Sequence, residues 1–278
     1  MNIPEDRPKS NSAVARGTLA AILAATRDRV AKLGAQRAAL RLAAERATPP
    51  PSFTGALRGE SVAVIAEIKR RSPSAGAIAE DLSPATHARA YQAGGAAAIS
   101  VLTDEAFFGG SLADLDAVRG AVAVPLLRKD FMLDELQLYE ARAHGASAVL
   151  LIVRALDPGR LRDLARLARE LRLARVVEVH GTDELDQALA VEPDAVGINA
   201  RDLDTFRVDV GGIEPLVRAV PPGITAIAES GLRRRPDVER VAGWGADAVL
   251  VGSAIAAASN PETAVRQLTG VARSGRAA

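Results

Sequence analysis

The sequence predicts an α/β fold in which eight strands, each followed by a helix, close into a (β/α)8 or TIM barrel. Three observations lead to this prediction: the number of short apolar runs, their spacing, and a sequence motif that recurs among them. The runs begin about 20–35 residues apart, the length of one strand plus one crossover helix. Eight consecutive units of this kind favour a barrel over an open sheet. We expect strands near 62–69, 97–102, 123–128, 147–153, 174–179, 194–199, 224–229 and 247–252.

The recurring sequence motif is a glycine followed by small residues and an apolar run. It reads GAAAI at 95–99, GASAV at 145–149 and GADAV at 245–249, with a looser copy at 194–198. In each copy a glycine ends a helix and a tight connection leads into a buried strand. An open doubly wound sheet is the alternative, but its dinucleotide-binding form would place Gly-x-Gly-x-x-Gly after the first strand, and that fingerprint is missing.

A helical leader precedes the first strand. The segment from Ala15 to about Ala47 has the apolar spacing of a helix, and the prolines in 48–52 end it. We therefore predict a leader over 1–52, a barrel over 53–270 and a short flexible tail over 271–278.

Composition excludes several classes of function. A net charge of +1 gives no reason to expect nucleic acid or an anionic membrane as partner. With no cysteine, the chain has no thiolate metal ligand and no cysteine nucleophile. The three histidines lack ligand spacing, so no metal site is predicted. The start of the chain lacks the pattern of a secretory signal, and the apolar runs are too short to span a bilayer, so we expect a cytoplasmic protein.

The first strand carries two charges inside an apolar run. Glu67 and Lys69 are two residues apart, so their side chains share one face of the strand. A charge in a buried strand is costly unless it is paired or used in function. A buried ion pair is the alternative interpretation for these two residues alone.

Other strand ends add polar groups, and in barrels of this kind the carboxyl ends of the strands hold the chemistry. Three carboxylates around two amines could shift one another's pKa values and supply an acid and a base. Of the histidines only His180 lies near these ends, and we expect it to support the site instead of reacting. The predicted catalytic residues are Glu67, Lys69, Lys129, Glu178, Asn199, Glu229 and Ser230.

A phosphate site is predicted after strands seven and eight, where barrels often bind phosphate through backbone amides. Ser72, after strand one, could complete it. Aromatic residues make up 3% of the chain, and several fall in loops at the same rim, where they could hold an aromatic ring or pack onto helices. The predicted binding residues are Ser72, Arg201, Gly231, Gly252, Ser253, Phe108, Phe131 and Phe206.

The motifs at these strand ends resemble those of the indole-3-glycerol phosphate synthase family of tryptophan biosynthesis. Arg154 and Ala200 stand where members commonly have other small or polar residues; neither departure removes a catalytic group. The leader resembles a segment that this family carries over the barrel mouth. The similar stretches are IAEIKRRSPSAG (65–76), LTDEAFFGGS (102–111), LLRKDF (126–131), LLIVRAL (150–156), VVEVH (176–180), GINARDL (197–203), AESGL (228–232) and VLVGSA (249–254).

The resemblance implies a lyase that closes the indole ring of 1-(o-carboxyphenylamino)-1-deoxyribulose 5-phosphate with loss of carbon dioxide and water, without a cofactor. It implies Lys129 as general acid, Glu178 as acid/base for the dehydration, and Lys69 or Arg201 facing the substrate carboxylate. The division of roles between the two lysines stays open. The partner would be this phosphorylated small molecule, and the protein a monomer or weak homodimer with possible contacts to other tryptophan-pathway enzymes.

Two alternatives were weighed against this interpretation. Phosphoribosylanthranilate isomerase is also a phosphate-binding barrel, but that family relies on a cysteine base, which this chain lacks. A non-catalytic binding barrel would be expected to have lost at least one of the charged residues at the strand ends, and all of them are present.

Overall fold

The computed structural model describes residues 18–276, and within them eight parallel strands form a closed barrel. Each strand pairs with the next along the chain, and the last pairs with the first through Ala63 and Ala248. The predicted barrel is therefore confirmed. The strands are β1 Ala63–Ile68, β2 Ala98–Leu102, β3 Leu126–Lys129, β4 Ala148–Ile152, β5 Ala174–Val179, β6 Ala195–Asn199, β7 Thr225–Glu229 and β8 Ala248–Val251.

Helices precede the barrel and connect its strands. A two-residue antiparallel ladder, Arg71–Ser72 with Gly76–Ala77, shapes the loop after β1, and short 3-10 turns cover Gly34–Gln36, Val153–Ala155 and Gly211–Ile213. The described helices are α1 Leu19–Leu33, α2 Arg37–Arg46, α3 Phe53–Ala56, α4 Pro84–Ala93, α5 Glu105–Phe108, α6 Leu112–Arg119, α7 Glu135–Ala143, α8 Pro158–Glu170, α9 Thr182–Leu189, α10 Glu214–Ala219, α11 Arg235–Gly243, α12 Ser253–Ala256 and α13 Pro261–Arg266. None of them is both long and apolar enough to cross a membrane.

The two faces of each strand pack into different layers. In β1, Val64, Ala66 and Ile68 belong to the layer between strands and helices, whereas Ile65 belongs to the cluster inside the barrel. Because side chains alternate along a strand, Glu67 and Lys69 continue the inward face of Ile65. The same alternation in β3 puts Leu127 inside and Leu126 outside, so that Lys129 points inward. The barrel interior thus ends in charged side chains at its carboxyl end.

The leader covers this carboxyl end. Leu19 and Ile22 of α1 are buried in the same cluster as the barrel interior and line its open end. Arg29 of α1 forms an ion pair with Asp130, the residue that follows β3, at 2.6 Å. The predicted helical extension over the mouth is therefore confirmed, although Gly34 divides it into two helices where one was expected. Residues 1–17, including the predicted helix start at Ala15, lie outside the described residues.

One strand begins later than predicted. The third was expected from residue 123, but β3 begins at Leu126. The amides of Ala123 and Val124 donate to the side-chain oxygen of Gln92 at 2.8 and 3.3 Å, so they are already satisfied by α4. Pro125 follows and has no amide hydrogen to donate to a neighbouring strand.

The end of the chain also differs from its prediction as a flexible tail. The carbonyl of Val271 accepts from Val62 at 2.8 Å, and the Arg273 amide donates to Glu60 at 2.9 Å. Arg276 donates to the carbonyls of Val220 and Ile224 at 2.9 and 2.7 Å. Residues 271–276 are therefore bound to the barrel, while 277–278 lie outside the described residues. The domain boundaries at 52 and 270 stay predictions.

Candidate active site

A cavity of about 380 Å³ opens at the carboxyl ends of the strands. All fifteen residues predicted for the site contribute to its wall, including Ser72 from the loop after β1 and Phe206 from the loop after β6. The structure thus brings the predicted residues together. Placement does not establish their roles, which stay predictions.

Lys129 stands at the centre of the charged part of this cavity. Its Nζ lies 3.0 Å from Oε2 of Glu178 and 3.1 Å from Oε2 of Glu229. The three side chains come from β3, β5 and β7, so the closed barrel is what places them together. All three are at most 13% exposed, and water therefore screens their interaction only weakly.

The two carboxyl groups of this triplet differ in their pKa values. Burial alone would lower the pKa of Lys129, but the carboxylates of Glu178, Glu229 and Glu67 outweigh it and hold that pKa well above its usual value. Burial would raise the pKa of Glu178, yet Lys129 and then His180 hold it below its ordinary value. For Glu229, burial prevails over the attraction of Lys129 and raises the pKa to about 7. Near neutral pH the cavity therefore offers one ionised carboxylate and one that gains and loses its proton easily, as acid/base chemistry requires.

A second ion pair lies across the cavity. Lys69 Nζ is 2.6 Å from Oε1 of Glu67, as expected for two side chains on one face of β1. Space for the carboxylates comes from facing glycines: a Cβ on Gly252 would collide with the Glu67 carboxylate, and a Cβ on Gly197 with that of Glu229. These two glycines are therefore steric requirements of the charged cluster.

Asn199 fixes the direction of Glu178. Its Nδ2 donates to Glu178 Oε1 at 3.2 Å, while its Oδ1 accepts from the Arg201 amide at 2.9 Å. The second bond sets which way the amide faces, because only the oxygen can accept. The Arg201 guanidinium donates to the Phe206 carbonyl at 3.0 Å, and its pKa is lowered by burial and by the nearby Arg233 cation. Two arginines thus stand at the same side of the cavity.

The side predicted for phosphate combines small residues with unusual backbone geometry. Ser230 and Gly231 both have positive φ, 68° and 78°. Such a conformation is uncommon for a serine and is often found at functional sites. Gly252 precedes the short helix α12, whose first residue is Ser253, and both border the cavity. Ser72 Oγ accepts from the Ala75 amide at 3.2 Å, which fixes the loop after β1.

Aromatic side chains also border the cavity. The rings of Phe108 and Phe131 lie 6.3 Å apart between centroids at 36°, and with Leu19 and Ile22 of α1 they give the cavity wall an apolar part. Phe206, with φ of 60°, borders the cavity from the loop after β6. Phe107 packs against the barrel-interior cluster, as Phe108 does, but is not part of the cavity wall.

Comparison with known proteins identifies the family. A model of the indole-3-glycerol phosphate synthase family matches residues 19–268. The chain belongs to the indole-3-glycerol phosphate synthase family. The protein named indole-3-glycerol phosphate synthase 1 of Streptomyces coelicolor is 49% identical over 225 residues, which cover 81% of this chain and 84% of that one. The indole-3-glycerol phosphate synthase of Parafrankia sp. is 50% identical over 231 residues, 83% of this chain and 86% of that one.

Solved structures with lower identity share the fold. Thiamine phosphate pyrophosphorylase from Pyrococcus furiosus superposes with a TM-score of 0.57 at 18% identity, covering 78% of this chain and 96% of that chain. For 3-hexulose-6-phosphate synthase from Salmonella typhimurium the TM-score is 0.59 at 15% identity, with coverage of 74% and 96%. These similarities support the barrel and carry no argument about activity.

Several cavity residues of this family member were not predicted. Leu19 and Ile22 border the cavity and belong to the apolar spacing of the leader, a pattern that signals a covered surface without saying which one. Arg233 comes two residues after Gly231, and a basic residue so close to a predicted phosphate loop could have been singled out. Among residues 18–276, no group of histidines and carboxylates is arranged to hold a metal ion.

Proposed function

We propose that this cavity carries out the reaction for which its family is named, forming indole-3-glycerol phosphate from 1-(o-carboxyphenylamino)-1-deoxyribulose 5-phosphate with loss of carbon dioxide and water. The observation that carries the proposal is Lys129, held between Glu178 and Glu229 at 3.0 and 3.1 Å in a cavity with one apolar and one basic side. The reaction needs this combination, because its substrate joins an aromatic acid to a sugar phosphate.

Ring closure uses Lys129 as general acid. The ring carbon that bears the carboxylate attacks the ketone carbon, and the ammonium of Lys129 gives a proton to the ketone oxygen, which becomes a hydroxyl group. Carbon dioxide then leaves, and the electron pair of the broken bond stays with the ring, which becomes aromatic again. The raised pKa keeps Lys129 protonated before the reaction, and protonation of the adjacent Glu229 removes one counter-charge and makes the ammonium a better acid.

Dehydration uses Glu178. This carboxyl group exchanges protons with the intermediate as the new hydroxyl group leaves as water and the five-membered ring becomes aromatic. Asn199 holds Glu178 in position at 3.2 Å, and Glu229 shares its partner Lys129. Glu67 orients Lys69 from 2.6 Å, so that Lys69 or Arg201 can face the substrate carboxylate.

Substrate binding divides along the cavity. The amides around Ser230–Gly231 and Gly252–Ser253, with Ser72, are proposed to hold the phosphate, because backbone amides beside glycine allow an anion to approach closely. Phe108, Phe131 and Phe206 border the space for the aromatic ring. Arg233 would add positive charge for the same substrate.

The leader is proposed to act as a lid that excludes water. Leu19 and Ile22 close the apolar side, and Arg29 ties α1 to the residue after Lys129. Removing residues 1–48 should leave a folded barrel, judged by circular dichroism, with reduced turnover and weaker substrate binding. Full activity of the shortened chain would contradict the lid.

We further propose that the protein works in the cytoplasm as a monomer or weak homodimer, with possible contacts to other enzymes of tryptophan synthesis. Analytical ultracentrifugation tests the first part: a tight dimer or larger assembly at micromolar concentration would contradict it. Fractionation of cells tests the location.

The decisive experiment is an assay of the purified chain with the carboxyphenylamino sugar phosphate, following indole absorbance and carbon dioxide release. Both products should form in equal amounts, and Lys129→Met should form neither. Conversion of phosphoribosylanthranilate without indole formation would indicate an isomerase. Binding of the substrate without turnover would indicate a non-catalytic barrel.

A further inference from the structure

A row of polar side chains leads from the cavity to the outer loops through His180. This residue directly follows β5, is 4% exposed in its side chain and is not part of the cavity wall. Its Nε2 lies 3.5 Å from Oε1 of Glu178, and its Nδ1 lies 3.3 Å from Oε2 of Glu184 in the first turn of α9. The imidazole therefore stands between two carboxylates, one of them proposed to react.

The outer carboxylate is firmly held. Oε2 of Glu184 accepts from the His180 amide at 2.7 Å, and Arg154, from the turn after β4, donates to Oε1 at 2.8 and 2.9 Å. Arg154 also approaches Asp202, in the loop after β6, at 3.4 Å. Glu184 is thus held by the residue after β5 and by the turn after β4, and Arg154 links it to the loop after β6.

The inner nitrogen of His180, Nε2, has no hydrogen-bond partner of this kind among residues 18–276. Nε2 of His180 is buried and makes no hydrogen bond within the described residues, although Glu178 Oε1 lies 3.5 Å away. A buried polar atom left in this way is uncommon and requires an explanation. Contacts at active sites are often long before substrate binds and shorten in the complex. The Glu178 oxygen 3.5 Å away is the one that Asn199 also contacts.

We propose that His180 is a positioning residue whose Nε2–H turns toward Glu178 and keeps that carboxylate oriented for the proton transfers of dehydration. The proposal rests on the proposed function and assigns a role to a residue that does not touch the cavity. The groups facing the imidazole are the carboxylates of Glu178 and Glu184, with the Arg154 cation behind the latter. An ionised carboxylate only accepts hydrogen bonds, so a proton on Nε2 gives Glu178 a donor that fixes its direction.

The direction of the effect follows from the charges. Lys129 and His180 both lower the pKa of Glu178 against the effect of burial. Removing the imidazole leaves only Lys129 in that role, so Glu178 would take up its proton at a higher pH. Loss of Arg154 should act in the same direction but more weakly, because it affects His180 only through Glu184.

Nitrogen-15 NMR of histidine-labelled full-length protein tests the protonation state directly. The chain has three histidines, so a comparison with His180→Gln assigns the signal. We expect Nε2 of His180 to carry a proton. A ring with a bare Nε2 would overturn the proposal. This measurement does not depend on turnover, so failure of the indole assay would count against the proposed function alone.

Single-turnover rates against pH test the consequence. In His180→Gln, which keeps an amide but no charge, the acid limb should move up by about one pH unit. Arg154→Met should shift it in the same direction by less, and it serves as a second variant should His180→Gln fold poorly. His144→Gln is the matched control, because His144 pairs with Asp116 at 2.9 Å on the outside of the barrel. A lower rate with an unmoved acid limb in both test variants would show a merely structural role and overturn the proposal.

Discussion

Two charged clusters meet at the end of β3, one centred on Lys129 in the cavity and one centred on the buried Arg128, with Asp130 of the second also bordering the cavity. Lys129 belongs to the first cluster, with Glu178 and Glu229. Arg128 and Asp130, its neighbours in sequence, belong to the second, with Thr103, Glu140 and Arg29. Because successive side chains of a strand point to opposite faces, three consecutive charged residues belong to two different clusters.

The clusters differ in how completely their polar atoms are satisfied. Asp130 accepts from Arg29 and Thr103 at 2.6 Å each, from the Phe131 amide at 2.8 Å and from Arg128 at 3.1 Å. Against the effect of burial, the two arginines hold its pKa below the ordinary value. In the cavity, Oε1 of Glu229 has no hydrogen-bond partner within the described residues, and its pKa is raised to about 7.

The difference separates a structural network from a reactive one. A network whose members are all satisfied fixes one charge state and one geometry. A network that contains an oxygen without a hydrogen-bond partner, and a carboxyl group whose pKa is near neutral, can gain or lose a proton at little cost in free energy. A reaction cycle requires such a change. Burial and ion pairing alone therefore do not mark the active site of this protein, since both clusters have them.

Removing the central cation of the cavity should give the largest effect. Lys129→Met takes away the proposed general acid and keeps a side chain of similar length. We expect turnover in the indole assay to fall by about 10³-fold or more, while substrate affinity changes less. Near-normal turnover would transfer the acid role to Lys69, and Lys69→Met is the matched variant that separates the two.

Removing the central cation of the second cluster should instead cost stability. Arg128→Met leaves Asp130 and Glu140 buried with one partner fewer, which we expect to lower the free energy of unfolding by about 3–5 kcal/mol. Denaturant unfolding measures this loss. Turnover of the folded fraction should stay within a few-fold of the parent, because Arg128 does not border the cavity. A large loss of turnover with unchanged stability would contradict the separation of the clusters.

The sequence allowed the cavity cluster to be predicted but not the second one. Glu67 and Lys69 are two residues apart and so share one face of their strand, and polar residues recur at the ends of the other strands. These local patterns, placed on a barrel, predict that the polar residues meet. Arg128 lies in the same LLRKDF stretch, yet its burial depends on Glu140 of α7 and on Thr103 after β2. Such partners are distant in sequence and follow no period.

The errors in the fold have the same origin. The late start of β3 depends on Gln92, a side chain of α4 that binds two amides about thirty residues further along. The attachment of residues 271–276 depends on backbone groups before β1 and on Asp247. Local periodicity predicts helices and strands, and which of their faces are buried. A hydrogen bond between a backbone group and a side chain distant in sequence leaves no such local signal.

Adding a carboxylate at the proposed phosphate side should affect binding more than turnover. Ser253→Asp places a negative charge where the phosphate is proposed to sit, so KM should rise by roughly 10- to 100-fold. Inorganic phosphate should raise the melting temperature of the parent protein and not that of the variant. Equal protection of both would place the anion site elsewhere, and Ser83→Asp, at the start of α4, is a control outside the cavity wall.

The smallest effect concerns stability against pH at Glu229. Its pKa of about 7 in the folded protein exceeds that of an unfolded chain, about 4.5, so between these values the folded state holds a proton that the unfolded state has released. The stabilisation is complete below about pH 4.5 and is lost as pH rises through 7. Glu229→Gln has no carboxyl group to ionise, so it keeps this stabilisation as pH rises. Its free energy of unfolding should therefore rise relative to that of the parent across this pH window, by on the order of 1 kcal/mol.

Glu178→Gln is the control, because Glu178 pairs with the same lysine and its ionisation should change stability with pH in the opposite direction. The pKa of Glu178 is lowered, so its ionised form stabilises the fold above the unfolded value, and this contribution disappears as pH falls through the folded value. Its variant should therefore be less stable than the parent at neutral pH and approach it in acid. Urea unfolding from pH 4 to 8 distinguishes the two. Parallel curves for both variants would mean that the two carboxylates share one environment, and the contrast between the satisfied and the reactive cluster would then lose its electrostatic basis.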